Sequence, residues 1–268
     1  MPIDSRDWYD TPLYYDIVFD AGTGREADFL EAVWSFYGRP AGEKTRRLLE
    51  PACGSGRLLG EMARRGWEVS GFDANESSLA FARDRMTASG LKATIWQDRM
   101  ESFTVPAGVA GDFDLAHCLV STFKYLRSEE EARSHLRRVG DSLRPGGLFV
   151  LGVHLSDYMR TKQEHERWVG CRGDVEVVCN TRTWPPDRNS RTENLRCRLR
   201  VTENGVTREQ ETRWEFRTYD ARQLRTTIRA ALPEFAIVAC HDFHHLIEVT
   251  RKFDDEYSDL VVILRKPG

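Results

Sequence analysis

The chain has no C-x-x-C pair; its six cysteines, at 53, 118, 171, 179, 197 and 240, are scattered. That spacing excludes a zinc ribbon and a dithiol redox motif, and reduced thiols in a reducing compartment are expected. No apolar run approaches about 18 residues, so no membrane span is expected. The stretch MPIDSRDWYD lacks a basic region followed by an apolar core, and a cytoplasmic protein without a secretory signal is the expectation. Internal repeats and low-complexity segments are also missing. What is present, 268 residues with 40% hydrophobic and 30% charged side chains, is the composition of an ordinary globular protein. The length suits one sizeable domain, or one domain carrying an insertion.

Lysine is scarce: 33 of the 39 basic residues are arginine. The net charge of −3 is unevenly spread, with −5 over residues 1–159, +5 over 160–229 and −3 over 230–268. A basic segment attracts acidic substrates or nucleic acid. Arginine is this chain's habitual surface cation, so an ordinary solvated surface is the expected reading of the segment.

From about 45 to 155 short apolar runs alternate with amphipathic stretches, the pattern of β-α-β units on a mainly parallel sheet. Strands are predicted at 46–52, 67–72, 93–96, 113–120 and 148–153. Helices are predicted at 57–65, 75–88 and 129–143, the last stopped by Arg144-Pro145-Gly146-Gly147. After 155 polar and apolar residues alternate at 175–180, 194–202 and 207–219, with turn-like PPDRNS and ENG between, which reads as antiparallel ribbon. A helix at 220–231 and strands at 235–240 and 260–264 finish the chain, and an amphipathic helix at 26–36 precedes the first strand. The expected fold is α/β: a Rossmann-like, doubly wound, seven-stranded and mostly parallel sheet with an antiparallel β insertion before the last helix. Its expected division is a single domain over 1–268. An N-terminal helical lid covers 1–44, a cofactor-binding core 45–158, an acceptor cap 159–219 and the last part of the core sheet 220–268.

In open α/β sheets ligands bind beyond the carboxyl ends of the strands. The first strand ends in Glu50-Pro51-Ala52-Cys53-Gly54-Ser55-Gly56-Arg57, where small residues let backbone pass close under a ligand at a helix N-terminus. Glu50, Asp73 and Asp98 each close one of the first three strands. Three acids converging on one crevice disfavour a pyrophosphate and suit a cofactor with a cationic centre and an amino group. S-adenosyl-L-methionine has a sulfonium, an α-amino group, a ribose diol and an adenine, and it fits.

The ordered strings LLEPACGSGRLLGEMARRG, VSGFDAN, WQDRM, FDLAHCLVSTFKYL and LRPGGLFVL resemble the motif set of class I S-adenosylmethionine-dependent methyltransferases over about 48–153. The remainder is loosely similar to small-molecule N-methyltransferases of the aminosugar type, through Tyr15-Asp16, Ala52 at the first motif glycine, and the insertion. The resemblance implies Glu50 near the methionine amino group, with Ala52, Gly54 and Gly56 lining the loop beneath. It implies Asp73 on the ribose diol with Ala74 beside the adenine, Asp98 on the adenine amino group beside Arg99 and Met100, Cys118 and Leu119 near the sulfonium, and Tyr15 closing over the site. Tyr125 is the first candidate for contact with the acceptor, and His154, closing the fifth strand, is a candidate base pointing at the crevice. His117 reads as a satisfied core histidine. His241 is a possible lining residue of the acceptor pocket; the cluster Cys240 to His245 lacks the pattern of a metal site, and no metal is expected.

The expected activity is S-adenosylmethionine-dependent methyl transfer to a small-molecule acceptor, amine nitrogen ahead of hydroxyl oxygen. Alternatives that stay open are an RNA or DNA methyltransferase and a non-catalytic S-adenosylmethionine-binding module. Nucleic acid is not the expected partner, because no groove combining basic and stacking residues is readable. A reductase is disfavoured: Gly54-x-Gly56-x-x-x-Gly60 misses the dinucleotide spacing, although Tyr158 and Lys162 imitate a reductase pair. Antiparallel ribbons of this kind can pair between subunits, so a homodimer is possible.

Overall fold

A computed structural model describes residues 4–5, 7–39, 45–109 and 111–268. Residues 1–3, 6 and 40–44 of the expected N-terminal lid lie outside the described residues. The lid begins with strand β1 (Asp4–Ser5), a 3-10 turn at Trp8–Asp10, and helices α1 (Pro12–Phe19) and α2 (Thr23–Tyr37). Helix α1 was not expected from sequence; Pro12 opens it, where a missing amide hydrogen costs nothing. There follow β2 (Arg47–Pro51), α3 (Arg57–Arg64), β3 (Glu68–Asp73), α4 (Glu76–Ala88), β4 (Ala93–Gln97), β5 (Phe113–Cys118), a 3-10 turn at Thr122–Tyr125, α5 (Glu129–Ser142) and β6 (Leu143–His154). Caps explain where the helices start. Asn75 accepts from the Ser78 amide at 2.8 Å, and Ser128 forms a reciprocal capping box with Glu131.

One expectation needs correction. Arg144-Pro145-Gly146-Gly147 does not separate a helix from a short strand; it lies inside β6. The register against β5 jumps from Phe113↔Leu143 to Leu115↔Leu148, so the presumed breaker is a bulge in one long strand. Gly147 is required there, since a Cβ would lie 3.0 Å from the Phe113 carbonyl oxygen.

After β6 come β7 (Glu164–Arg172), β8 (Val175–Thr183), β9 (Thr192–Glu203), β10 (Val206–Arg217), α6 (Ala221–Ala231), β11 (Ala236–His241) and β12 (Asp259–Arg265). The main sheet has the order β11-β12-β6-β5-β2-β3-β4. It is parallel except for β12, which runs antiparallel to both neighbours: seven strands, mostly parallel, as expected from the sequence. Its two faces are covered by α5 and α6 on one side and by α2, α3 and α4 on the other. Phe113, Leu115, Val150 and Leu151 are essentially inaccessible between them.

The insertion, joined at one edge by β1 of the lid, forms a second sheet, β1-β10-β9-β8-β7. Asn204 and Gly205 both take positive φ, 48° and 75°, the two-residue turn that suits the twist of a hairpin. The inner face packs Val177, Cys179, Cys197 and Leu199 onto Trp8 and Ile17 of the lid. On the outer face His165, Arg182, Arg196 and Arg213 stand side by side on four strands. The two parts of the lid divide the work, α1 packing on this second sheet and α2 on the main one.

Candidate active site

The loop after β2 alternates left-handed residues: Ala52 at φ 53°, Gly54 at 52° and Gly56 at 67°. The two glycines serve different ends. A Cβ on Gly54 would meet nothing within 4 Å, whereas one on Gly56 would lie 2.9 Å from Ala82 Cβ of α4. Gly54 opens the loop to a cavity; Gly56 lets α3 pack on α4. Asp73 fixes this loop, accepting from the Gly54 amide at 2.9 Å and the Asn75 amide at 2.9 Å. Burial pushes its carboxyl up, and these amides oppose the rise. Asp98 accepts from the Arg99 and Thr104 amides at 2.8 and 3.0 Å, which shapes the turn after β4.

The loop borders a cavity of about 480 Å³, the size range of small-molecule sites. Glu50 lies on its floor. Burial pushes the Glu50 carboxyl up to about 8; Arg57 pulls it down, and Glu26 and Asp73 add to the rise. The roof is aromatic: Tyr9 and Tyr15 from the lid, Tyr125 from the turn after β5, and Trp214 from β10, with Asp7 beside them. The Tyr9 and Tyr125 hydroxyls share a hydrogen bond of 2.7 Å, and burial pushes both phenols up. Burial also pushes the Asp7 carboxyl up, against the Tyr9 amide that favours its ionised form.

The lid is held over this cavity by buried ion pairs. Asp16 of α1 has no exposed surface. It accepts from Ser55 Oγ of the glycine loop at 2.7 Å and pairs with Arg172 of β7 at 2.7 Å and with Arg85 of α4. Arg57 of α3 pairs with Glu26 of α2 at 2.7 Å and donates to Thr23 at 3.0 Å. Asn75 donates to Asp10, and Ser78 to the Tyr9 carbonyl.

Of the residues singled out from sequence, Tyr15, Glu50, Ala52, Gly54, Asp73, Ala74, Asp98, Arg99, Met100, Leu119 and Tyr125 line this cavity. Gly56 does not, for the packing reason above. Cys118 turns away from it into the core beneath α5, where burial holds its thiol at about 12. His154 does not point at the crevice. The register of β6 on β12 sets it opposite Asp259, to which its Nδ1 bonds at 2.7 Å, and its ring packs on Phe243. His241 does not line the cavity either, being held by the Val249 carbonyl and the Tyr37 hydroxyl. His117 also departs from expectation, because it faces the cavity and its Nε2 is buried without a partner. Asp7, Tyr9, Glu26, Arg57 and Trp214 escaped the sequence reading. The run WYDTPLYYD was the available signal, but nothing in it says which ring meets which strand. Among the described residues no group of three or more His, Cys, Asp or Glu is arranged to hold a metal ion.

The fold is the class I methyltransferase fold. Residues 48–147 match the family model described as a methyltransferase domain. The putative methyltransferase YqeM of Bacillus subtilis (strain 168) is 30% identical over 110 residues, 41% of this chain and 43% of that protein. The ubiquinone biosynthesis O-methyltransferase of Marinobacter nauticus is 32% identical over 110 residues, 41% and 44% of the two chains. These alignments span less than half of either protein. Among solved structures, a S-adenosylmethionine-dependent methyltransferase from Clostridium acetobutylicum ATCC 824 superposes with a TM-score of 0.73 at 15% identity, covering 95% of this chain and 96% of that one. CalS10, an amino pentose methyltransferase from Micromonospora echinaspora, superposes with a TM-score of 0.68 at 20% identity, covering 91% of each chain. Residues 48–147 thus carry a methyltransferase domain, and the chain as a whole has the fold of the S-adenosylmethionine-dependent methyltransferases. The cavity suits that cofactor, since Glu50 Oε2, an acidic oxygen on its floor, is buried with no protein partner and matches an ammonium group.

Proposed function

We propose that this protein transfers a methyl group from S-adenosyl-L-methionine to the amine nitrogen of a small molecule. The observation that carries this reading is a cavity with acids on its floor and a cage of aromatic rings with one carboxyl, Asp7, above. Aromatic faces and a carboxyl attract a cationic amine more than a neutral alcohol. An acceptor carrying a phosphodiester backbone would find acids on this floor. The similar fold of the sugar N-methyltransferase KedS8 and of CalS10, which acts on an amino pentose, supports nitrogen; the ubiquinone biosynthesis O-methyltransferase keeps oxygen as the second reading.

When bound, the cofactor supplies an electrophilic methyl carbon. Glu50 holds its amino group, Asp73 the ribose diol and Asp98 the adenine amino group, while Gly54 lets backbone lie close. Tyr15 and Leu119 exclude water beside the reacting centre. On the acceptor side the hydrogen-bonded Tyr9–Tyr125 pair orients the nucleophile, and Asp7 is placed to accept a proton from an arriving ammonium. Alignment of this kind is worth roughly 7–11 kcal/mol.

Calorimetric titration with S-adenosylhomocysteine, with NADPH as control, tests the cofactor; labelled methyl transfer to panels of small amines and alcohols then tests the acceptor. Binding of S-adenosylhomocysteine alone and methylation of amines are expected. NADPH binding, or salt-sensitive methylation of RNA or DNA in place of small molecules, overturns the reading. Methylation of alcohols alone replaces nitrogen by oxygen.

A further inference from the structure

Two polar atoms at the cavity floor are buried with no hydrogen-bond partner: Oε2 of Glu50 and Nε2 of His117. They face each other at 3.9 Å, with side-chain exposures of 12% and 1%, about 1 Å beyond hydrogen-bond length. A buried polar atom left unpaired is costly. Two of them opposed across the floor of a ligand cavity mark a pair that a ligand completes.

The surroundings determine which form each residue takes. Glu50 is faced by Arg57 of α3, Glu26 of α2, Asp73 of β3, Tyr15 of α1, Cys53 of the glycine loop, and His117 and Cys118 of β5. Arg57 is the one cation among these residues, and Glu26 already holds it at 2.7 Å. Glu50 therefore has no counterion of its own, and burial keeps it protonated up to about pH 8. His117 is pushed down to about 3, by burial first and by Arg57 second, so its imidazole is neutral.

Resting on the cofactor reading above, we infer that Glu50 ionises on cofactor binding, exchanging its proton for an ion pair with the ligand's α-ammonium group, and that neutral His117 then donates its Nε2 hydrogen to the new carboxylate. One O–H bond of Glu50 breaks, the proton leaves to solvent, and the ammonium keeps its own protons. His117 acts as a positioning residue through Glu50.

The sign follows from linkage. Below about pH 8 binding must expel a proton, so affinity rises by up to tenfold per pH unit toward that value and levels off above it. The test is calorimetric titration near pH 7 in two buffers of different ionisation enthalpy. One ligand is S-adenosylhomocysteine; the other is 5′-methylthioadenosine, which lacks the amino-acid end. About one proton released with the first and none with the second is expected. Glu50→Gln should bind S-adenosylhomocysteine weakly and without pH dependence. His117→Leu should move the pH midpoint of binding upward, and His117→Gln, which retains an N–H donor, should bring it back. Binding of S-adenosylhomocysteine without proton release, equal release with both ligands, or an unmoved midpoint in His117→Leu overturns the inference while leaving the cofactor intact. Failure of S-adenosylhomocysteine to bind at all overturns the cofactor reading and this inference with it. The two-buffer result comes from the unaltered protein, so it stands even where a variant folds poorly.

Discussion

Gly54 and Gly56 share nearly the same backbone, yet a methyl group would do different damage at each. Gly54→Ala meets open space, so its cost is the left-handed strain, about 1–2 kcal/mol, together with weaker cofactor binding. Gly56→Ala adds a clash with Ala82 and should cost about 1–3 kcal/mol more; thermal melts of the two variants, followed by titration with S-adenosylhomocysteine, should separate a binding defect from a folding defect. Asp73 serves the loop as well as the site, because it clamps the Gly54 amide. Asp73→Ala should lower S-adenosylhomocysteine affinity at least about tenfold, the value of one lost charged hydrogen bond; parental affinity would contradict the placement of the cofactor. Tyr125→Phe removes only the hydroxyl bonded to Tyr9. Methyl transfer should fall about tenfold while cofactor affinity stays unchanged, as steady-state rates and titration would reveal. The acids at strand ends were legible residue by residue, because period and position put each at the same edge of the sheet. The site role of Tyr9 and the orientation of His154 were not, since one depends on a hydrogen bond and the other on a strand pairing that each bridge about 100 residues or more.

Elements carry a second set of consequences, centred on Asp16. One carboxylate ties α1 to the glycine loop, to α4 and to β7. Breaking a buried pair by removing one partner typically costs about 3–5 kcal/mol. Asp16→Ala should fall at the lower end, because Arg172 is 40% exposed and can return to water. Urea unfolding measures the loss, and proteolysis should cut residues 7–37 sooner. The outer face of the cap behaves oppositely. Arg182, Arg196 and Arg213 lie on adjacent strands, Arg196 and Arg213 sharing Glu211 as a counterion, and like charges directly opposite are unfavourable. Arg196→Thr should therefore raise stability by about 0.5–1 kcal/mol at low salt, a gain that fades as salt is added. Strand β7 went unread in the sequence because as an outer strand, exposed at seven of nine positions, it shows no apolar alternation. The bulge in β6 was unreadable for another reason: proline and two glycines signal a chain reversal unless the neighbouring strand is known.

At the scale of the molecule, acidity loosens the fold in two stages. His135 sits in the core with its Nδ1 bonded to the Met100 carbonyl, and burial pushes it down to about 4. Its folded value lies below the unfolded value of about 6.5, so its contribution is complete above pH 6.5 and is lost as pH falls toward 4, on the order of 3 kcal/mol. Glu129 follows. Burial raises it, but the Thr227 hydroxyl and the Arg217 and Arg191 guanidiniums prevail and hold it at about 2, so its share is present above about 4.5 and lost as pH falls toward 2. Buried His117 and His245, pushed down to about 3 and about 4, add to the first stage, so urea midpoints across this range should slope from pH 6.5 downward, and His135→Phe should reduce the first stage while leaving the second unchanged. The pairing of β1 with β10 bears on how the molecule is made. Asp4 and Gln210 are register partners, and at ribosomal speeds of about 5–20 residues per second the first waits roughly 10–40 s for the second. During that interval Trp8, Tyr9 and Ile17 have no cap sheet to cover them, so the nascent lid is the stretch where a chaperone would find its grip.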